Sequence, residues 1–123
     1  MNEKKGDLSS RLLDFTVEVI KVVNALPKTV PGRHIARQMT RAGTSCGANY
    51  EEACGAESRP DFIHKMSIVL KELKETRYWL RLIRKTEMLA PTRIGPIMDE
   101  CEQLCAIIAK SIITAKTKKK YHC

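Results

Sequence analysis

Apolar residues recur along the chain at alternating spacings of three and four, and four separate stretches carry that pattern. The first runs through Leu8, Leu12, Phe15, Val19, Val22 and Leu26. The second takes in Ile35, Met39, Ala42, Cys46, Asn49, Ala53 and Ala56, with Asn49 as its one polar member. Phe62, Met66, Val69, Leu73, Thr76, Leu80 and Ile83 make the third. Ile94, Ile97, Cys101, Leu104 and Ile108 make the fourth, fading through Ser111 and Ala115. None shows the sustained period of two expected of a strand. Strong breaks fall only at residues 27–32 (PKTVPG), at Ser58-Arg59-Pro60 and at Leu89-Ala90-Pro91-Thr92. A four-three repeat keeps one stripe on a neighbouring helix, and short connections make neighbours antiparallel. The pattern predicts an all-α, up-down-up-down antiparallel four-helix bundle with helices over about 8–26, 33–57, 60–87 and 93–115.

Capping chemistry supports these limits. Asp7 can cap the first helix. Ser58 followed by Asp61 resembles a capping box, with Pro60 in the first turn, where its missing N–H costs nothing. Thr92 can cap the fourth helix, with Pro96 still among the N–H groups that lack a helical partner. Residues 116–123 have no apolar stripe and read as a mobile basic tail.

The second helix has a further line of small residues beside its core stripe: Ala36, Thr40, Gly43, Gly47, Tyr50 and Cys54. Each internal glycine costs about 1 kcal/mol relative to alanine, so a close helix–helix approach is expected. Packing within one bundle is the simpler account, and a subunit interface is the other.

At 123 residues the chain is one domain in size. Its net charge is +8, and half of that excess sits on Lys116, Lys118, Lys119 and Lys120. Such a balance favours polyanionic partners, whether nucleic acid or an acidic protein surface. No run approaches the ~18 apolar residues of a membrane helix, and the polar start (MNEKKGDLSS) lacks the apolar core of a signal peptide. A cytoplasmic protein is expected. Five cysteines, an odd number, then read as reduced thiols.

The run Arg41-Ala42-Gly43-Thr44-Ser45-Cys46-Gly47-Ala48-Asn49-Tyr50-Glu51-Glu52-Ala53 resembles the signature RA-x-x-S-x-x-x-N-x-x-E-[AG]. That signature marks the four-helix bundle family whose founding members are encoded in intervening sequences of bacterial 23S rRNA genes. Phe62 and the stretch from Lys71 to Leu80 also fit, so the resemblance spans about residues 8 to 115. A related branch contains the accessory variability determinant of diversity-generating retroelements. The resemblance implies a homopentamer with a central channel and, in the retroelement branch, binding to nucleic acid and to a reverse transcriptase. It supplies no catalytic residues.

Ser45, Asn49 and Glu52, spaced by four and three, line one edge of the second helix. They could offer a hydrogen-bonding ridge to RNA, but a polar network that fixes helix register is the favoured account, with Asn49 as the register device. Arg33, Arg37 and Arg41 form one basic line. Lys74, Arg77, Arg81, Arg84 and Lys85 form another, beside the core stripe of the third helix. Both can neutralise successive phosphates. Glu72 and Glu75 read as part of an ordinary solvated face. Trp79, on a third side, fits an edge-of-core or subunit-contact role better than base stacking.

Cys101 and Cys105 could share a metal with His122 and Cys123, but two of those ligands would come from the tail, so all four are left out of any metal site. The two α-helical cysteines read as small core residues. His34 and His64 lack partners at useful spacing, and no phosphate-cradling loop, HExxH or nucleophile elbow is present. The expectation is a non-catalytic, cofactor-free, oligomeric protein that binds RNA or DNA. It would act as an accessory to an RNA-handling enzyme such as a reverse transcriptase. The alternative is a protein-interaction scaffold with no nucleic-acid role.

Overall fold

The computed structural model describes residues 3–118 and 120–123, and side chains from residue 8. It contains four helices: α1 (Glu3–Ala25), α2 (Val30–Cys54), α3 (Arg59–Lys85) and α4 (Pro91–Lys118). At 1.5 Å per residue each is about 35–42 Å long. Among the described residues there is no strand.

Contacts between helices run in opposite directions along each neighbouring pair. Ser9 of α1 meets Glu51 of α2, while Thr16 approaches the Gly43 carbonyl. Between α2 and α3, Arg41 meets Glu72 and Lys65 meets Glu52. Arg11 of α1 pairs with Glu100 of α4, and Arg93 donates to the Lys21 carbonyl. Each helix packs on its two neighbours and none crosses the diagonal, so the bundle is up-down-up-down.

All four predicted stripes reach the core. Leu12, Phe15, Val19, Met39, Cys46, Phe62, Met66, Leu73, Leu80, Ile83, Ile94, Leu104 and Ile108 are all buried. Two positions of the α2 stripe are corrected. Ala56 lies past the end of the helix at Cys54, short of the expected 57, and is only partly buried. Tyr50, not Asn49, fills the core late in α2, while Asn49 stays half-buried. A straight helix drifts by about 20° per heptad from a strict four-three repeat, and here that drift brings the tyrosine under the bundle. The glycines of α2 also separate. A Cβ on Gly43 would stand 2.6 Å from Val19 Cγ1, so this glycine lets α1 come close. On Gly47 a Cβ would meet nothing nearer than 3.8 Å.

Helix ends show both agreement and correction. Ser58 Oγ accepts from the Asp61 N–H at 3.2 Å, the predicted cap. Helix α2 starts earlier than expected because Thr29 caps it, accepting from the Gly32 N–H at 3.2 Å, with Pro31 in the first turn. Asp7 lies inside α1 and not at its cap, and its side chain lies outside the described residues. Thr92 lies within the first turn of α4, which opens on Pro91. Helix α3 closes with Glu87 at φ 57° and the Met88 N–H bonded to the Ile83 carbonyl at 3.1 Å, a left-handed cap made without glycine.

The tail expectation is corrected. Helix α4 continues to Lys118, past the expected 115, and the chain then turns back on the bundle. Cys123 forms a disulfide with Cys54 at the end of α2, with Cα atoms 5.3 Å apart, and the Tyr121 ring lies 6.1 Å from that of Phe62. Five reduced cysteines were expected; three are free, and all three are buried. Lys119, part of the expected basic tail, lies outside the described residues.

Candidate nucleic-acid interface

The seam between α2 and α3 brings Arg41 and Ser45 of α2 together with Glu72 and Glu75 of α3. Glu72 sits at the edge of the α3 core stripe and is buried to 7% exposure. Its carboxylate accepts from Arg41 Nη1 and from Ser45 Oγ, each at 3.0 Å. A carboxylate out of water needs such donors, and two neighbouring turns of α2 supply them. Arg41 continues to Glu75, which also accepts from Trp79 Nε1 at 3.1 Å. The Arg41 bond holds the Glu75 carboxyl below its ordinary range, against the opposing pull of burial, and Trp79 adds to it. Arg41 is raised in turn, first by the same bond.

These contacts correct four expectations. Glu72 and Glu75 are not a solvated face but the anchor of the seam. Arg41 is engaged by both carboxylates, whereas Arg33 and Arg37 make no ion pair among the described residues. Of the proposed network, only Ser45 joins it. Asn49 Nδ2 donates to the Ser45 carbonyl of its own helix at 2.9 Å, so it does not set the register between helices. Glu52 is exposed and pairs with Lys65 at 2.6 Å. The amphipathic angle of Glu72, between core and solvent, was the available signal for its role.

The remaining cations lie on the surface. Arg33, Arg37, Lys74, Arg81, Arg84 and Lys85 are exposed, and among the described residues none of the six takes part in an ion pair or a side-chain hydrogen bond. Arg77 is half-buried and leans to α4, with its guanidinium 3.6 Å from the Glu102 carboxylate. The antiparallel register brings the two basic lines to one end of the bundle. The His34 ring of α2 lies 5.9 Å from Trp79 of α3, which sets Arg33 and Arg37 beside the last third of α3. They do not merge into one surface. Arg37 borders a shallow groove with Val23 of α1, whereas Arg81 and Lys85 border another with Tyr78 and Leu82.

Trp79 is half-buried at the edge of the core, as expected, with its indole committed to Glu75. Tyr78 is the residue sequence reasoning missed: its side chain is 56% exposed between Lys74 and Arg81. Cys101 and Cys105 are core residues as read, and Cys101 Sγ lies 3.4 Å from the Leu73 carbonyl. Burial pushes the Cys46 thiol up to about 12. Among the described residues no group of three metal-ligating side chains converges.

What these features define is a small antiparallel four-helix bundle, clamped across α2 and α3 by an Arg–Glu seam and cationic at one end. The chain belongs to the 23S rRNA-intervening sequence protein family, whose model matches residues 5–110. It is similar to the crystal structure of a protein of unknown function from the S23 ribosomal protein family of Bacteroides thetaiotaomicron VPI-5482. The two are 33% identical, with a TM-score of 0.80 over 85% of this chain and 97% of that one. No protein of curated function matches.

Proposed function

We propose that this protein is a non-catalytic bundle that binds the phosphate backbone of RNA or DNA and serves as an accessory to an RNA-handling enzyme. The observation that carries the reading is the set of six exposed, unpaired cations at one end of the bundle. Glu72 and Glu75, the acids beside Lys74, face into the seam with Arg41, while Glu87 is exposed just past Arg84 and Lys85. A cation not already neutralised by the fold is one that can release counterions from phosphate. The resemblance to the retroelement accessory protein points to a reverse transcriptase as one candidate enzyme. Among the described residues, no helix is long and apolar enough to cross a membrane.

Self-assembly is the second element, and a separate observation favours it. Leu13, Val17 and Ile20 line the outer side of α1 at spacings of four and three, with exposures of 64%, 42% and 43%. A helix face this apolar is unusual on a monomer. The proposal is a closed homo-oligomer, a pentamer on the family resemblance. Light scattering reads this directly: Val17→Glu lowers the mass to that of one chain, and a wild-type monomer at micromolar concentration overturns it.

Fluorescence anisotropy with labelled RNA and DNA tests the nucleic-acid reading. The tail lysines complicate it, because clustered cations bind polyanions unaided. Deleting the tail would also remove Cys123, so the control keeps the chain and changes Lys116, Lys118, Lys119 and Lys120 to glutamine. This variant binds if the reading is right. Loss of all binding in it leaves only the bundle.

A further inference from the structure

We propose that the outward face of α3 is a stacking platform for an unpaired base, with Tyr78 as the stacking residue, and that the preferred ligand is a single strand. The inference rests on the nucleic-acid reading above and specifies which form of nucleic acid that reading concerns. Lys71, Lys74, Tyr78, Arg81 and Lys85 follow one another at spacings of three and four, so they form one line along the helix. All five are exposed. From Lys74 to Lys85 the line is about 16 Å long, enough to follow a backbone over several nucleotides. No acid interrupts it, since Glu72 and Glu75 are turned into the seam.

An exposed tyrosine in the middle of four cations is what this face adds to plain charge. The Tyr78 hydroxyl makes no hydrogen bond among the described residues, and one edge of its ring is braced by Trp79, with centroids 5.2 Å apart and planes at 75°. Trp79 is itself fixed by Glu75 and by an edge contact with His34. The ring is therefore supported from behind while a face stays open beside Arg81, Leu82 and Lys85. Duplexes hide their base faces within the stack, so such a helix meets only phosphates, sugars and base edges there. A single strand can present a base to the ring while its phosphates meet the lysines and Arg81.

The test uses the full chain with a short labelled uridine oligomer, a strand of the same length made of abasic residues, and a matched duplex. Tyr78→Ala weakens binding to the uridine oligomer roughly five- to one-hundred-fold, the range for loss of one stacked base. Tyr78→Phe keeps wild-type affinity, because the ring and not the hydroxyl carries the contact. Neither variant changes affinity for the abasic strand or the duplex. Equal binding of wild type and Tyr78→Ala to the uridine oligomer overturns the stacking site while leaving phosphate binding intact. Absence of salt-sensitive binding to any of the three ligands removes the parent reading and this one together. An acidic peptide that binds as tightly as the oligomer, with the same weakening in Tyr78→Ala, assigns the face to a protein partner and overturns the proposal. Tyr78 is outside the core, so circular dichroism of both variants matches wild type.

Discussion

Arg41 of α2 reaches across the bundle to Glu72 of α3, with Nη1 to Oε2 at 3.0 Å, and leaves Glu72 only 9% exposed at the side chain. Removing the arginine strands that carboxylate with Ser45 as its one remaining donor from the facing helix. Arg41→Met should destabilise the fold by about 1–2 kcal/mol, a figure reduced because the arginine itself is half exposed. Adding Glu72→Gln to that variant should recover part of this stability, since an amide is cheaper to bury than an unpaired charge. Urea unfolding of the two single variants and the double variant measures this coupling.

The same seam makes stability depend on pH. Glu75 is held below its ordinary range by Arg41, so the unfolded chain takes up this proton at higher pH than the folded one. Its contribution is complete above the unfolded value of about 4.3 and is lost as pH falls through the lower folded value. Between neutrality and about pH 5 the contribution should stay flat. Glu75→Gln should therefore be less stable than wild type at neutral pH, with the gap closing as pH drops below about 4. Thermal melts across that range supply the test, and a gap that widens in acid contradicts the assignment.

Gly43 and Gly47 should respond oppositely to alanine. At Gly43 the new Cβ would stand 2.6 Å from a buried, branched valine that cannot swing away, so overpacking should cost about 1–3 kcal/mol. At Gly47 the nearest atoms are 3.8 Å off, and higher helix propensity should stabilise by up to about 1 kcal/mol. Chemical denaturation of the two variants decides it.

Legibility in the sequence followed the range of the forces involved. The core stripes and the Ser58 cap are local patterns, and they were readable because period and capping chemistry act within one or two turns. Thr29 was obscured by the surrounding Pro27 and Pro31, which read as a break although Pro31 belongs to the first turn of α2. The role of Glu72 depends on which neighbour faces the edge of α3, and that is a property of the closed bundle. Cys123 lay beyond any periodic signal. Its partner is 69 residues away and becomes adjacent only when α4 runs back to the end of α2. For the interface, spacing alone picks out the cationic residues, but which of them stay unpaired depends on the geometry. Tyr78 gives no signal of its own, because which of two adjacent aromatic rings stays exposed is set by how Trp79 docks on α2.

The Cys54–Cys123 bond closes more than half of the chain, residues 54–123, into a loop, which should restrict the unfolded state. Reduction, or Cys123→Ser, should lower stability by about 2–4 kcal/mol, and reductant should not affect the Cys123→Ser variant further. Thiol titration in denaturant without reductant should find three groups, Cys46, Cys101 and Cys105. Five would show that the ends are not joined.

The most direct measurement of the functional account is the salt dependence of binding. Two variants are needed, both with glutamine at Lys116, Lys118, Lys119 and Lys120, so that the C-terminal lysines cannot produce the signal. The second also carries Lys74→Gln, Arg81→Gln, Arg84→Gln and Lys85→Gln, which leave the core and the seam untouched. The slope of log K against log salt should be steep for the first. For the second it should flatten by about 0.7 for each phosphate no longer neutralised on a single strand, or about 0.9 on a duplex. Identical slopes for the two variants would contradict the assignment of α3 as the surface that meets nucleic acid.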